Sequence, residues 1–191
     1  LQFMYDVLYK YKVAPPGSLQ YTMDENATLF LQGKVAMTSS HCYVLTLVDN
    51  PEMSQVIGKW GVFARPGMSN AATWHCGMPE DAKDKKAAFR FAQYVTNKEN
   101  LMKLAMAGIP TTRVSIMTSP EILRNNPGFE AVIEVLKRAR PDPPLPEWKE
   151  VQDFLVRACS EVFAGEKTTQ QGLDDAAKEI RILLEQRGYY R

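Results

Sequence analysis

Helical periodicity runs through most of this chain, whereas only three short stretches read as strands. That imbalance constrains the fold more than any other feature. Val35–Thr38, Trp60–Ala64 and Ala71–Met78 are the strand signals, and each is followed by a turn or polar break. A strand must pair its backbone N–H and C=O groups, and three isolated strands among this many helices do not make an ordinary independent sheet. The sheet is therefore expected to be completed by strands outside these residues. Leu1 already lies inside a helical pattern with Met4, Tyr5 and Leu8, so residues 1–12 read as an amphipathic helix. Both features read as the C-terminal part of a longer protein.

Capping signals place the remaining helices. Thr22-x-x-Glu25 is a capping box opening a helix that stops at Gly33, and Thr168-x-x-Gln171 opens the last one, which runs to Gly188. Tyr43–Val48 reads as a short helix ended by Asn50-Pro51. Ala88, Phe91, Ala92 and Val95 form one apolar helical face. Asn97 caps the next helix, which ends at Gly108, and Ser119-Pro120 supplies a cap and first helical position. A helix covers about 128–139. Pro141, Pro143, Pro144 and Pro146 form a stiff connector, after which Val151, Leu155, Ala158 and Val162 mark a long helix ending at Gly165.

Composition excludes several functions. Lys and Arg number 23 against 22 Asp and Glu, so no basic surface for nucleic acid is expected. No apolar run approaches the ~18 residues of a membrane span. Three cysteines are too few for a disulfide scaffold. Lys83, Lys85 and Lys86 with Asp81 and Asp84 read as the solvated start of a helix. There is no Ser-His-Asp order, no phosphate-cradling glycine loop and no paired carboxylates in an apolar setting, so enzyme chemistry has no anchor.

The most informative segment chemically is Gly33–Tyr43, where the apolar run Val35–Met37 breaks into small polar residues. Ligands in open α/β sheets bind beyond the carboxyl ends of strands. Ser39, Ser40, His41 and Tyr43 are placed there to meet one. Both histidines precede cysteines, as His41-Cys42 and His75-Cys76. Three readings stay open: a zinc or copper(I) site, a Cys42–Cys76 disulfide, or thiols turned into the core with the imidazoles facing out. Trp60 is assigned to the core.

Four stretches in order are similar to motifs of the extracellular solute-binding proteins, family 1, which deliver sugars to ABC importers. Phe30-x-x-Gly33-Lys34-x-Ala36-Met37 resembles the family's F-x-x-G-K-x-A-M. Trp60–Gly67, then Thr73-Trp74 and Lys83–Phe89, resemble its G-G-W, strand and S-K-N-K-E-A-A-F series. Gly108-Ile109-Pro110-Thr111-Thr112-Arg113-x-Ser115 is close to G-x-P-x-x-R-x-S. The proline connector, the Gly165–Gly172 turn and Gly188-Tyr189-Tyr190 complete the series. Ala72 and Thr73 replace two family glycines, and His41 replaces a small residue; both departures lie where ligand would sit.

The resemblance implies an α/β chain, the helix-rich part of a two-lobe periplasmic-binding-protein-like (class II) fold, incomplete at its N-terminus. Residues 1–68 would be the first part of the C-terminal lobe, 69–114 a hinge strand and N-terminal-lobe segment, and 115–191 the second part of the C-terminal lobe. It implies a non-enzymatic, periplasmic or extracellular component without cofactor or resident metal. Its partners would be a sugar or polyol, the membrane permease of the importer, and the N-terminal half of the same protein; hinge closure on ligand would be the signal the importer reads. Trp74 would be a stacking platform at the hinge, with Thr73 beside it. Tyr43 falls where maltodextrin binders carry a stacking aromatic, near His41 and Ser40. Arg113 would fork onto hydroxyls or a carboxylate, or else pair with a helix C-terminus. Trp148 and Gln152 share a helix face, Gln152 at the place of another stacking aromatic. The alternatives are a charged ligand held by Arg113 and the histidines, and a metal or thiol protein built on the His-Cys pairs.

Overall fold

The computed structural model describes residues 1–67, 69–71 and 75–190. Its helices in chain order are α1 (Gln2–Tyr5), α2 (Met23–Leu31), α3 (Lys85–Val95), α4 (Lys98–Met106), α5 (Val114–Met117), α6 (Pro120–Asn125), α7 (Phe129–Arg138), α8 (Trp148–Phe163) and α9 (Thr169–Gln186). The chain divides into two compact units, residues 21–141 and residues 1–20 with 142–191.

In the first unit, α4 to α7 enclose a core of Leu101, Ala105, Ile116, Met117, Ile122 and Phe129. Ser119 caps α6 with Pro120 in its first turn. The last turn of α4 leaves carbonyls that need donors, and it finds them in two ways. Asn125 and Asn126 donate side-chain amides to the carbonyls of Met106 (2.8 Å) and Ala105 (2.9 Å). Ile109 N–H closes back on Leu104 O through Gly108 at φ +85°. A second cluster joins Ala27 and Leu31 of α2 to Val44 and Val48, with Trp60 packed against it as expected. The Trp60 indole donates to Asp49 Oδ1 at 2.7 Å.

The second unit is built on the α8–α9 hairpin. Val151, Ala158 and Val162 of α8 and Gly172, Ala176 and Leu183 of α9 are buried. The Thr168 capping box forms. Tyr9 donates to the Phe163 carbonyl at 2.6 Å, and Gln2 accepts from Thr169.

The expected strands are corrected. Among the described residues the only pairing is one parallel bridge, Asn70 with Arg140. Residues 34–41 and 59–66 carry no strand, and Met37 and Phe63 are exposed. Within these residues no second strand lies beside them, so they run as irregular chain without a ladder. The 71–78 signal overlaps residues 72–74, which lie outside the described residues. The helix expected over 1–12 is also shorter, since α1 gives way to a π-helical turn at Asp6–Lys10. Nor is the apolar face of α3 buried: no residue of that helix is, and Phe91 is 65% exposed.

Candidate functional site

The site is built at the two ends of α2. At its C-terminus, Gly33 at φ +67° lets Lys34 N–H bond Leu29 O and Gly33 N–H bond Phe30 O, which turns the chain back on the helix. The returning segment is tied to α2 by Asn26, whose amide donates to Ser39 O at 3.3 Å. A 3-10 turn, Cys42–Thr46, then buries Val44 against the α2 cluster. This holds Tyr43 half-buried, with its hydroxyl at the first turn of α2. There it donates to Asp24 Oδ1 at 2.7 Å, with Met23 O farther off at 3.4 Å. Donation to a carboxylate, with some loss of solvent, raises the Tyr43 pKa, because ionising the phenol would break that bond.

His41 is exposed, its ring 6.1 Å from that of Tyr43 and tilted by 32°. Ser40 is exposed beside it. Thr38 Oγ1 is buried without a protein partner among the described residues. The turn through Ser40–Tyr43 therefore carries a hydroxyl, an imidazole and an aromatic ring, and the Tyr43 bond adds the Asp24 carboxylate of α2, groups suited to a polyhydroxylated ligand.

Arg113 is exposed and donates to Thr96 O at 3.3 Å. Thr96 is the C-terminal cap of α3, so the helix-end pairing weighed from the sequence is present. Trp148 and Gln152 belong to the other unit, where both are partly buried on α8. The Trp148 indole N–H is buried with no acceptor among the described residues. Trp74 and Thr73 lie outside the described residues.

The His-Cys readings are corrected. Cys42, Cys76 and Cys159 are free, so no disulfide joins Cys42 to Cys76. Cys76 is exposed rather than turned into a core, because its segment has no sheet to alternate against. No group of three His, Cys, Asp or Glu side chains able to hold a metal ion occurs among the described residues. Burial pushes the Cys42 thiol up, away from the thiolate that nucleophilic chemistry needs. A groove of about 420 Å³ between α8 and α9 is lined by Arg157, Glu161, Lys167, Asp175 and Glu179, but these charges already pair with one another.

Sequence reasoning missed Asp24, Asn26 and Thr38. Asp24 looks in sequence like any first-turn acid of a helix. Only the 3-10 turn brings Tyr43 back to it.

Residues 2–102 match the family model of the bacterial extracellular solute-binding proteins. The chain belongs to the bacterial extracellular solute-binding protein family. Members of this family are binding components of ABC transport systems, family 1, and the structural neighbours are two-lobe periplasmic binding proteins. A maltose-bound MalE3 of T. maritima superposes with a TM-score of 0.82 at 27% identity, over 96% of this chain and 49% of that one. An ABC transporter solute-binding protein of Agrobacterium radiobacter in complex with ribitol gives 0.69 and 27%, over 89% and 45%. A mannitol-binding protein of Pseudomonas aeruginosa is 24% identical over 213 residues, 99% of this chain and 48% of that protein. A probable amino-acid ABC transporter periplasmic-binding protein of Sinorhizobium fredii is 24% identical over 180 residues, 94% and 42%. The chain thus spans about half the length of the relatives it matches. This chain is the helix-rich part of the two-lobe fold, and among its described residues no helix is long and apolar enough to cross a membrane.

Proposed function

We propose that this chain is part of the substrate-binding component of an ABC importer and contributes to binding a sugar or polyol between two lobes. The observation that carries this is the match of nearly the whole chain to a maltose-bound structure at a TM-score of 0.82. The ribitol and mannitol binders among the relatives point to the same ligand class. Tyr43 supplies the aromatic face, with His41 and Ser40 at its rim. Trp74 and Thr73, Arg113, and Trp148 with Gln152 complete the proposed contacts. Residues 69–114 would form the hinge strand and the segment of the N-terminal lobe, flanked by the two parts of the C-terminal lobe, 1–68 and 115–191. The component would act in the periplasm or outside the cell, hand its ligand to a membrane permease, and perform no chemistry on it. Its further partner is the N-terminal half of the two-lobe fold, which would cover the open face of α3.

Intrinsic tryptophan fluorescence of the full-length gene product tests the reading. Titration with mannitol, ribitol and maltose is expected to shift or quench emission saturably with at least one of them. A flat response to a broad panel of sugars and polyols would refute it.

A further inference from the structure

We infer that Asp24 determines ligand specificity, presenting a carboxylate that selects neutral, hydroxyl-rich ligands and rejects anionic ones. The inference rests on the sugar-or-polyol reading and sharpens it. α2 carries two acids in its first turn, Asp24 and Glu25. Glu25 is committed to the capping box: its Oε2 accepts from Thr22 N–H at 2.7 Å and from Thr22 Oγ1 at 3.0 Å. Those bonds to the charged form hold its carboxyl below the usual range. Asp24 is not committed. Its Oδ1 accepts the Tyr43 proton, and Oδ2 has no protein donor among the described residues.

The direction of that bond decides the chemistry of the surface. A phenol has one proton. Tyr43 gives it to Asp24 over 2.7 Å, so the outer side of the phenolic oxygen is left as an acceptor. Asp24 Oδ2 is an acceptor as well. A ligand meeting this pair must bring donors, and a polyol brings one at every carbon. A carboxylate on the ligand would meet like charge and find no proton on this pair. Tyr43 thus has two functions: its ring is the platform, and its hydroxyl fixes the carboxylate beside that platform.

Calorimetric titration of the full-length gene product with mannitol, ribitol and maltose as neutral probes, and gluconate and glutamate as charged probes, tests this. The wild type is expected to bind a neutral probe and to discriminate against gluconate. Asp24→Asn is expected to weaken the neutral probe by ~10-fold or more, the loss typical of a hydrogen bond to a charged group. It is also expected to narrow the margin against gluconate. Tyr43→Phe, which keeps the ring and frees the carboxylate, should weaken the neutral probe by a smaller factor; it decides the matter if Asp24→Asn does not fold. Neutral-probe affinity within twofold of wild type in the folded variants would overturn the role of Asp24 and leave the sugar-or-polyol reading standing. A wild-type preference for gluconate or glutamate would overturn it too. Binding of no member of a broad panel of neutral sugars and polyols would bring down both.

Discussion

Helices α3 and α4 are consecutive in the chain and alike in design, yet they end in opposite environments. Each opens on a side-chain cap, Asp84 onto Ala87 N–H and Asn97 onto Asn100 N–H, both at 2.8 Å. Each carries an apolar face. α4 buries Leu101 and Ala105 in the core of its unit, whereas α3 buries nothing and leaves Phe89, Phe91 and Tyr94 more than half exposed. An amphipathic pattern states which face needs covering; it does not supply the cover. Monomeric proteins rarely leave a contiguous apolar patch open without a use for it.

The comparison is broken most forcefully by paired truncations. Phe129, fully buried against the α4–α6 core, and Phe91 on α3 are the same residue in opposite settings. Phe129→Ala is expected to cost the chain ~3–5 kcal/mol in urea unfolding, from lost burial and the cavity left behind. In these 191 residues alone, without the N-terminal half proposed to cover α3, Phe91→Ala should change stability by no more than ~0.5 kcal/mol, as surface substitutions do. It should also lower the binding of a hydrophobic dye. A Phe91 cost comparable to that of Phe129 would mean that α3 is covered in solution and that its contrast with α4 is false.

The pair also shows where the sequence was legible. Caps and glycine stops are local chemistry, so Thr22, Asn97, Ser119 and Thr168 locate helix starts, and Gly33 and Gly108 locate helix ends. Trp60 packs on a core cluster as assigned, although the buried strand it was expected to enter is absent. What was not legible depends on partners distant in sequence. Val35–Thr38 has strand composition, but a strand is a relation between two segments. Tyr43 was found from its place after Met37, whereas Asp24, nineteen residues away, is tied to it only by the turn at Gly33 and the 3-10 turn after it. His41-Cys42 and His75-Cys76 looked like a pair because they repeat, and repetition carries no distance.

A smaller effect sharpens the comparison where α8 and α9 pack. A Cβ built on Gly172 of α9 would stand 2.7 Å from Val162 Cγ2 and 3.3 Å from the Ala158 carbonyl of α8. Gly172→Ala gains helix propensity of roughly 1 kcal/mol, but it overpacks an interface whose backbone oxygen cannot turn aside. A net destabilisation of about 1–2 kcal/mol is expected from thermal melts. Ala87→Gly on the open α3 should show the propensity cost alone, about 1 kcal/mol. Stabilisation by Gly172→Ala would mean that α8 and α9 are not in contact at this level.

The smallest effect is electrostatic and concerns the same hairpin. Lys167, at the α8–α9 turn, bonds Glu161 of α8 and Asp175 of α9, each at 2.9 Å. The two carboxylates push its pKa up to about 12. A lysine whose folded pKa is raised stabilises the fold fully below its unfolded value, ~10.4, and the contribution disappears as pH rises through the folded value. The hairpin should therefore lose a little stability between about pH 10.4 and 12. Asp175, held below the ordinary carboxylate range chiefly by Lys167, adds the complementary term, present above its unfolded pKa and lost as acid protonates it. Lys167 is partly exposed, so salt screens both effects and the change is modest. Following helix content against pH in wild type and Lys167→Met separates this network from general titration. The alkaline decline should be shallower in the variant. Identical alkaline profiles would show that packing of Ala158, Val162 and Ala176 holds the hairpin without help from its charges.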